Sequence, residues 1–394
     1  MPGWSRALRE MVDVGSSLAR ELPRPPAFEG ATPTLRRILN LYRIRLEWYR
    51  RATVLRSSPA KLCIEASSAC NLSCPHCFTG AGEIGRHGAT LSLAFYRRVL
   101  AELGDSLWQI EFHNWGEPLL NKQLVTMIAE ATARGISTVF CTNFSVPFDA
   151  RSAEALVSAG LKILGVSIDG SRQEIYEQYR VHGKLDLVLR NCRLVADAKH
   201  RLGCSTPRMN WTYHVFPHNV DDVEAAHALA TELGMDFHAS RGRVFGSDWD
   251  PEEKRVPHDP VATIPCFTLW HTAVVYADGS VAPCRGSFYP DDDLGRMSAD
   301  GRPGAMSFGE VWNGDRFQLA RRFFTQRSGT AAEQNHICFS CPYLVDWHAF
   351  AGHVLARRTA ETWTPRFNSN DRYNYFLSRR PKEAAKRVAA AGSR

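Results

Sequence analysis

Three cysteines fall within eight residues in Cys70-Asn71-Leu72-Ser73-Cys74-Pro75-His76-Cys77, directly after KLCIEAS, a run that predicts a β-strand over 61–67. Thiolates bind zinc and iron–sulfur clusters, and a closed structural zinc site takes four ligands, most often from two separated Cys pairs. A four-iron cluster held by three protein thiolates leaves one iron open. An open iron beside a strand end is a place where a small molecule can bind directly, which is a catalytic arrangement and not a structural one. Zinc remains the competing reading of any Cys cluster.

Four further cysteines are spaced like a second site: Cys266, Cys284 at the end of GSVAPC, and the pair Cys338 and Cys341 in ICFSCP. A hairpin that brings the first two together and a short helix that returns the Cys-x-x-Cys pair can close four thiolates around one centre. Such a centre has no open iron, so its chemistry would be electron transfer. The alternative is a folding staple, with zinc in the same thiolates. Of the remaining thiols, Cys141 ends the third predicted strand, where a small buried side chain is the plain reading and a hydrogen-atom donor the sharper one.

The rest of the chain excludes a disulfide framework. It has 394 residues with eleven Cys, too long and too sparse for a stapled secreted scaffold. No signal peptide or apolar run of membrane-spanning length is read from it, so the cytoplasm is the expected compartment. The composition, 44% hydrophobic and 23% charged, is that of an ordinary globular chain. The formal charge of +7 concentrates near residues 33–52 and in the C-terminal SRRPKEAAKRVAAAGSR. That tail reads as a solvated end, and no nucleic-acid partner is expected.

What must position these thiols is a β/α alternation. Strands are predicted at 61–67, 107–114, 136–143, 161–169, 208–216 and 235–240, and amphipathic helices between them at 91–104, 121–135, 149–160, 184–200 and 220–234, several ending at Gly. Six such units with polar residues after each strand predict a β/α barrel with its chemistry at the C-terminal rim. WDPEEKRVPHDP is a linker, and AVVYADGSVAPC predicts a hairpin. Near the N-terminus, Leu39, Tyr42, Leu46 and Tyr49 recur at helical spacing. They are expected to face the core with the arginines solvated, in preference to a peripheral contact with an anionic membrane.

The spacing Cys70-x-x-x-Cys74-x-x-Cys77 after a first strand resembles the signature of radical S-adenosylmethionine (SAM) enzymes. In that family SAM chelates the open iron, and its reductive cleavage gives a 5′-deoxyadenosyl radical that takes a hydrogen atom from substrate. HNWGEPLLN is similar to the family's Gly-Glu-Pro segment, which implies that Gly116 and Glu117 bind the SAM amino group, with Trp115 in place of the first Gly. Thr142-Asn143 is similar to its Thr-Asn-Gly, with Phe144 replacing Gly, and Ser167-Ile168-Asp169-Gly170 to its ribose-contacting segment. Position 76, often aromatic in the family, is His. Asn143, Ser167 and Asp169 are thereby implied as further SAM contacts.

The second cysteine group resembles the twitch domain, the shortened form of the SPASM domain, and implies one auxiliary [4Fe–4S] cluster on Cys266, Cys284, Cys338 and Cys341. The expected architecture is a partial (β/α)6 TIM-like barrel over 59–245, a linker at 246–262 and a small α+β auxiliary domain at 263–350. A helical extension at 1–58 and a basic one at 351–394 flank them.

His113, Tyr179, Arg180, Trp211, Tyr213, His214, His238, Arg241 and Arg243 are expected at the barrel mouth, facing a small polar, anionic substrate. The reaction read most simply is a two-electron dehydrogenation with the auxiliary cluster as acceptor, fed by a one-electron donor such as flavodoxin or ferredoxin. A peptide maturase is the alternative, and a non-enzymatic metal-binding protein the reading from a different class.

Overall fold

The alternation of short apolar runs with amphipathic runs folds as such runs must, strands side by side with the helices returning over one face. The structure is a computed structural model and describes residues 28–82, 86, 88–242, 266–298, 306–326 and 338. The linker 246–262, the extension 351–394, Cys341 and Arg243 lie outside the described residues. In chain order the elements are α1 (Leu35–Tyr49), β1 (Lys61–Ile64), α2 (Leu93–Leu103), β2 (Gln109–Glu111), α3 (Leu124–Ala133), β3 (Ser137–Thr142), α4 (Ala150–Ser158) and β4 (Ile163–Ser167). They continue with α5 (Gln173–Tyr179), α6 (Leu185–Arg201), β5 (Arg208–Val215), α7 (Val223–Glu232) and β6 (Asp236–Arg241). The C-terminal part adds α8 (Thr268–His271), β7 (Thr272–Val275), β8 (Ser280–Ala282), β9 (Gly295–Arg296), α9 (Phe308–Trp312) and α10 (Asp315–Gln326).

All six predicted strands form and pair in parallel in sequence order, giving the partial TIM-like barrel. The sheet continues past β1, because β7 pairs in parallel along Lys61↔Thr272 to Ile64↔Val275, and β8 and β9 follow antiparallel. The predicted hairpin is therefore part of the barrel's own sheet. Its turn closes through Tyr276 and Gly279, whose φ of +89° suits only a residue without Cβ.

One face of the sheet is apolar and buried under the helices, with Leu62, Ile64, Ile110, Phe140, Leu164, Val166, Met209, Trp211 and Tyr213 in the core. By register the opposite, inner face carries Lys61, Cys63, Glu111, Cys141, Gly165, Ser167, Thr212 and His214. This corrects the expectation for Trp211 and Tyr213. Both are fully buried on the helix side, the indole donating to Ile168 O at 2.8 Å and the phenol to Asn219 O at 2.9 Å.

The expectation for α1 is also overturned. Arg37, Asn40, Leu41 and Ile44 are buried, and Leu39, Tyr42, Leu46 and Tyr49 are exposed. Hydrogen bonding chooses the face. Arg37 donates to Thr32 O, Gly135 O, Arg134 O and Gly104 O, and Asn40 pairs both ways with the Ser58 backbone. Turning the apolar stripe inward would break all of these. Among the described residues no helix is long and apolar enough to cross a membrane.

Candidate active site

The loop after β1 folds back on itself. Cys77 N–H donates to Cys74 O at 3.2 Å and Ala81 N–H to Cys77 O at 2.7 Å. Gly80 lets the chain pass, since a Cβ there would stand 2.5 Å from Cys74 N. Cys70, Cys74 and Cys77 come together against Leu72, Tyr179 and Phe216, and His76 stacks beside the Tyr179–Phe216 pair, 6.2 Å from each ring.

Burial pushes the thiols up, Cys70 to about 11 against the Leu72 N–H, and Cys74 to about 12 against Arg180. Arg180 Nη1 lies 3.8 Å from Cys74 Sγ. Its Nε is held at 2.6 Å by Asp169 Oδ2, and Asp169 Oδ1 accepts from His214 N–H at 2.5 Å. Burial acts to raise the Asp169 carboxyl, but Arg180 and then His214 outweigh it and hold it below the ordinary value. Asp169 is thus fully buried and bound to protein cations and donors, while Ser167 stands half-buried at the end of β4.

The Gly-Glu-Pro segment is pressed onto the cysteine loop. A Cβ on Gly116 would meet Ser67 O at 2.0 Å, and Glu117 N–H donates to Ala69 O at 2.8 Å. The Glu117 carboxylate is buried and bridges to the tip of β3, Oε1 accepting from Thr142 Oγ1 at 2.7 Å and Oε2 from Asn143 N–H at 2.8 Å. Burial raises its pKa, and the Thr142 hydroxyl and the Leu119 and Asn143 N–H groups oppose that. Asn143 Nδ2 in turn donates to Asn71 Oδ1 at 3.0 Å and lies 3.7 Å from Cys70 Sγ. The ends of β1, β2 and β3 are thereby tied into one polar rim around the thiols.

Beside His113 and Cys141, sequence reading missed three charged residues on the inner face, Lys61, Glu111 and Arg285. Glu111 Oε1 pairs with Lys61 Nζ and Oε2 with Arg285 Nη1, both at 2.7 Å. Burial would raise this carboxyl, but Arg285 and Lys61 hold it below the usual value. His113 is neutral, lowered to about 3 by burial and then by Arg285. The Cys141 thiol sits over Gly165, where a Cβ would meet its Sγ at 2.6 Å, and burial lifts it to about 11. A Glu in the strand Leu107-Trp108-Gln109-Ile110-Glu111-Phe112, flanked by Ile110 and Phe112, was the available signal, and Arg285 follows a candidate ligand directly.

In the C-terminal part, Cys266 precedes α8, Cys284 follows β8 and Cys338 is buried. Among the described residues none of the ten cysteines is in a disulfide. Among the described residues no three His, Cys, Asp or Glu side chains are gathered closely enough for a single metal ion. A cubane puts its ligands on separate irons and does not need them gathered around one ion.

Residues 64–230 match the Radical SAM superfamily, and residues 266–342 match SPASM, the iron-sulfur cluster-binding domain. The chain thus carries a Radical SAM domain followed by a C-terminal SPASM domain. It is 34% identical over 121 residues to the PqqA peptide cyclase of Rhodopseudomonas palustris, covering 30% of this chain and 31% of that protein. It is 32% identical over 195 residues to the Fe-coproporphyrin III synthase of Methanosarcina barkeri, covering 47% and 46%. The chain thus spans less than half the length of these relatives. The structure of Streptococcus suis SuiB bound to S-adenosylmethionine has the same fold, with a TM-score of 0.55 at 13% identity over 85% of this chain and 81% of that one.

A [4Fe–4S] cluster with SAM belongs to the first of these domains, and auxiliary iron–sulfur clusters to the second. The donor set fits the first cluster. It comprises three free thiols in one partly buried pocket, with a guanidinium beside one of them to favour thiolate and a glycine at the one point where a Cβ would close the loop.

Proposed function

We propose that Cys70, Cys74 and Cys77 hold the catalytic cluster, that Gly116 and Glu117 receive the SAM amino group, and that the substrate bears a carboxylate recognised by Arg285 and Lys61. The observation that carries this reading is the hydrogen-bonded rim joining Cys70, Asn143 and Glu117 across three strand ends. When bound, the cluster and SAM supply reductive C–S cleavage and hydrogen-atom abstraction. Glu117 is fixed through both oxygens, so its charge faces a cationic amine without reorganisation. Asn143 orients the loop that carries Cys70, and Ser167 offers a hydroxyl beside it. Asp169 contributes by holding Arg180 against Cys74, a role behind the pocket wall.

Lys61 and Arg285 both reach Glu111 on the inner face, and the Arg285 side chain is 40% exposed there. That supports an anionic substrate group. A peptide is the favoured class, on the likeness to the PqqA peptide cyclase. A small polar molecule is the second reading, on the likeness to the Fe-coproporphyrin III synthase.

The reaction proposed is a two-electron oxidation. One auxiliary cluster on Cys266, Cys284, Cys338 and Cys341 takes the second electron, and an external donor such as flavodoxin or ferredoxin supplies the first cluster. The functional units are 59–245 and 263–350, with 1–58 and 351–394 as extensions. The cytosol, where thiols stay reduced, is the compartment this chemistry suits.

The test is anaerobic reconstitution, counting iron and following 5′-deoxyadenosine with dithionite and SAM. Wild type should cleave SAM, and a Cys70/Cys74/Cys77→Ala variant should lose one cluster and all cleavage. Arg285→Gln should retain SAM cleavage while the KM for a carboxylate-bearing substrate rises roughly tenfold or more. Cleavage by the cysteine variant would refute the ligand assignment.

A further inference from the structure

Helix α1 presents two apolar faces, and among the described residues only one is packed into the core. Leu41 and Ile44 pack into the core, while Leu35, Ile38, Leu39, Tyr42, Leu46 and Tyr49 form an outward stripe at three- and four-residue spacing, each between 37% and 73% exposed. Such spacing lines one side of a helix from end to end. Arginines border the stripe on both sides, Arg36, Arg43 and Arg50 along one edge and Arg45 along the other. The helix's single carboxylate, Glu47, is turned away and accepts from the Arg56 and Ser57 N–H groups and the Ser57 hydroxyl. Arg36 reaches Asp105, itself exposed, at 2.6 Å.

We propose that this stripe docks the protein on an anionic lipid surface, with α1 lying in the interface plane. An apolar ridge flanked on both sides by guanidinium groups on long apolar stems matches the layering of a bilayer surface, in which acyl chains lie below and phosphates at the level of the stems. A complementary protein groove would have to supply acidic groups along both sides of a convex ridge. The helix is rigidly held for this role. The Arg37 fork to the carbonyls that end α2 and α3 and the Asn40 pair with Ser58 fix the opposite face to the barrel, so docking would cost no refolding. The inference is independent of the substrate and of the cluster assignments.

The experiment is co-sedimentation of the full, cluster-loaded chain with phosphatidylcholine vesicles, with and without phosphatidylglycerol. Binding is expected only with phosphatidylglycerol and should weaken with added salt. Leu39/Tyr42/Leu46→Ser should abolish it, and Arg43/Arg50→Gln should weaken it about thirtyfold at low salt. Both variants alter exposed side chains, so SAM cleavage and thermal unfolding should match wild type, which separates loss of docking from loss of fold. Wild type remaining in the supernatant, or a stripe variant that still sediments, would overturn the proposal. So would a wild-type dimer that the stripe variant converts to monomer, since the face would then join two copies of the chain.

Discussion

Phe144 takes a φ of +56°, in the left-handed region where a Cβ crowds the following carbonyl, at the position where the similar family segment has Gly. Its ring is fully buried against Phe148, 5.0 Å away, and its carbonyl accepts from Asn191 Nδ2 at 2.9 Å. Packing therefore outweighs strain. Phe144→Ala should cost about 3–5 kcal/mol, while Phe144→Gly should cost about 1 kcal/mol less than Ala because the strain is relieved. Urea titration would show this order, and Gly faring worse than Ala would mean that the strain is not there.

Glu65 is the second residue-level case. Its Oε1 accepts from Trp115 N–H at 3.2 Å, Oε2 has no hydrogen-bond partner among the described residues, and burial lifts the carboxyl to about 8 against Trp115 and Arg86. A raised carboxyl is neutral in the fold, so its contribution is complete below the unfolded value of 4.5 and is lost as pH climbs through about 8. Glu65→Gln should flatten stability across that window and stabilise at its upper end by on the order of 3 kcal/mol. Urea midpoints at both ends of the window test it. That Cys70, Cys74 and Cys77 come together, with Glu117 bonded to the same loop, was legible because short spacing and turn chemistry are written locally. The Glu111–Arg285 contact spans 174 positions and depends on which edge of β1 the later hairpin joins, which no local pattern encodes.

At the scale of elements, periodicity located every strand of the barrel and the helices between them except the short α5, but it assigned α1 the wrong face. An apolar stripe predicts burial only when nothing polar demands the other side. Here Arg37 binds the carbonyls at the C-terminal ends of α2 and α3 at once, Gly104 O at 3.3 Å and Arg134 O at 2.8 Å, with Gly135 O and Thr32 O at 2.7 Å. Those are the groups a helix leaves without partners, at the negative end of its dipole. Arg37→Met should destabilise by about 3–5 kcal/mol, since several buried carbonyls lose their donors together. Arg37→Lys should recover less than half, because one ammonium cannot fork to four acceptors. Thermal unfolding of the two variants would show whether geometry or charge dominates.

At the scale of the molecule, the SPASM segment is woven into the barrel. β7 occupies the edge of β1 next to the cysteine loop, and Arg285 crosses to the inner-face carboxylate of β2. Behind it, Asn313 exchanges two hydrogen bonds with the Leu55 backbone, Trp312 Nε1 donates to Ser57 O at 3.2 Å, and buried Arg321 donates to Thr53 O at 3.0 Å. Phe308 N–H donates to Glu102 at the end of α2. A chain ending at 262 would thus unpair β1 along Lys61–Ile64 and uncover the apolar surface beneath Trp270 and Trp312. A bare parallel strand beside exposed tryptophan contacts invites edge pairing with other copies. The truncated chain should therefore aggregate and fail to retain the cluster at Cys70, Cys74 and Cys77, as gel filtration and iron content would report. A soluble monomer that still cleaves SAM would show instead that the barrel holds its first strand unaided, and that the hairpin is attached to the sheet without supporting it.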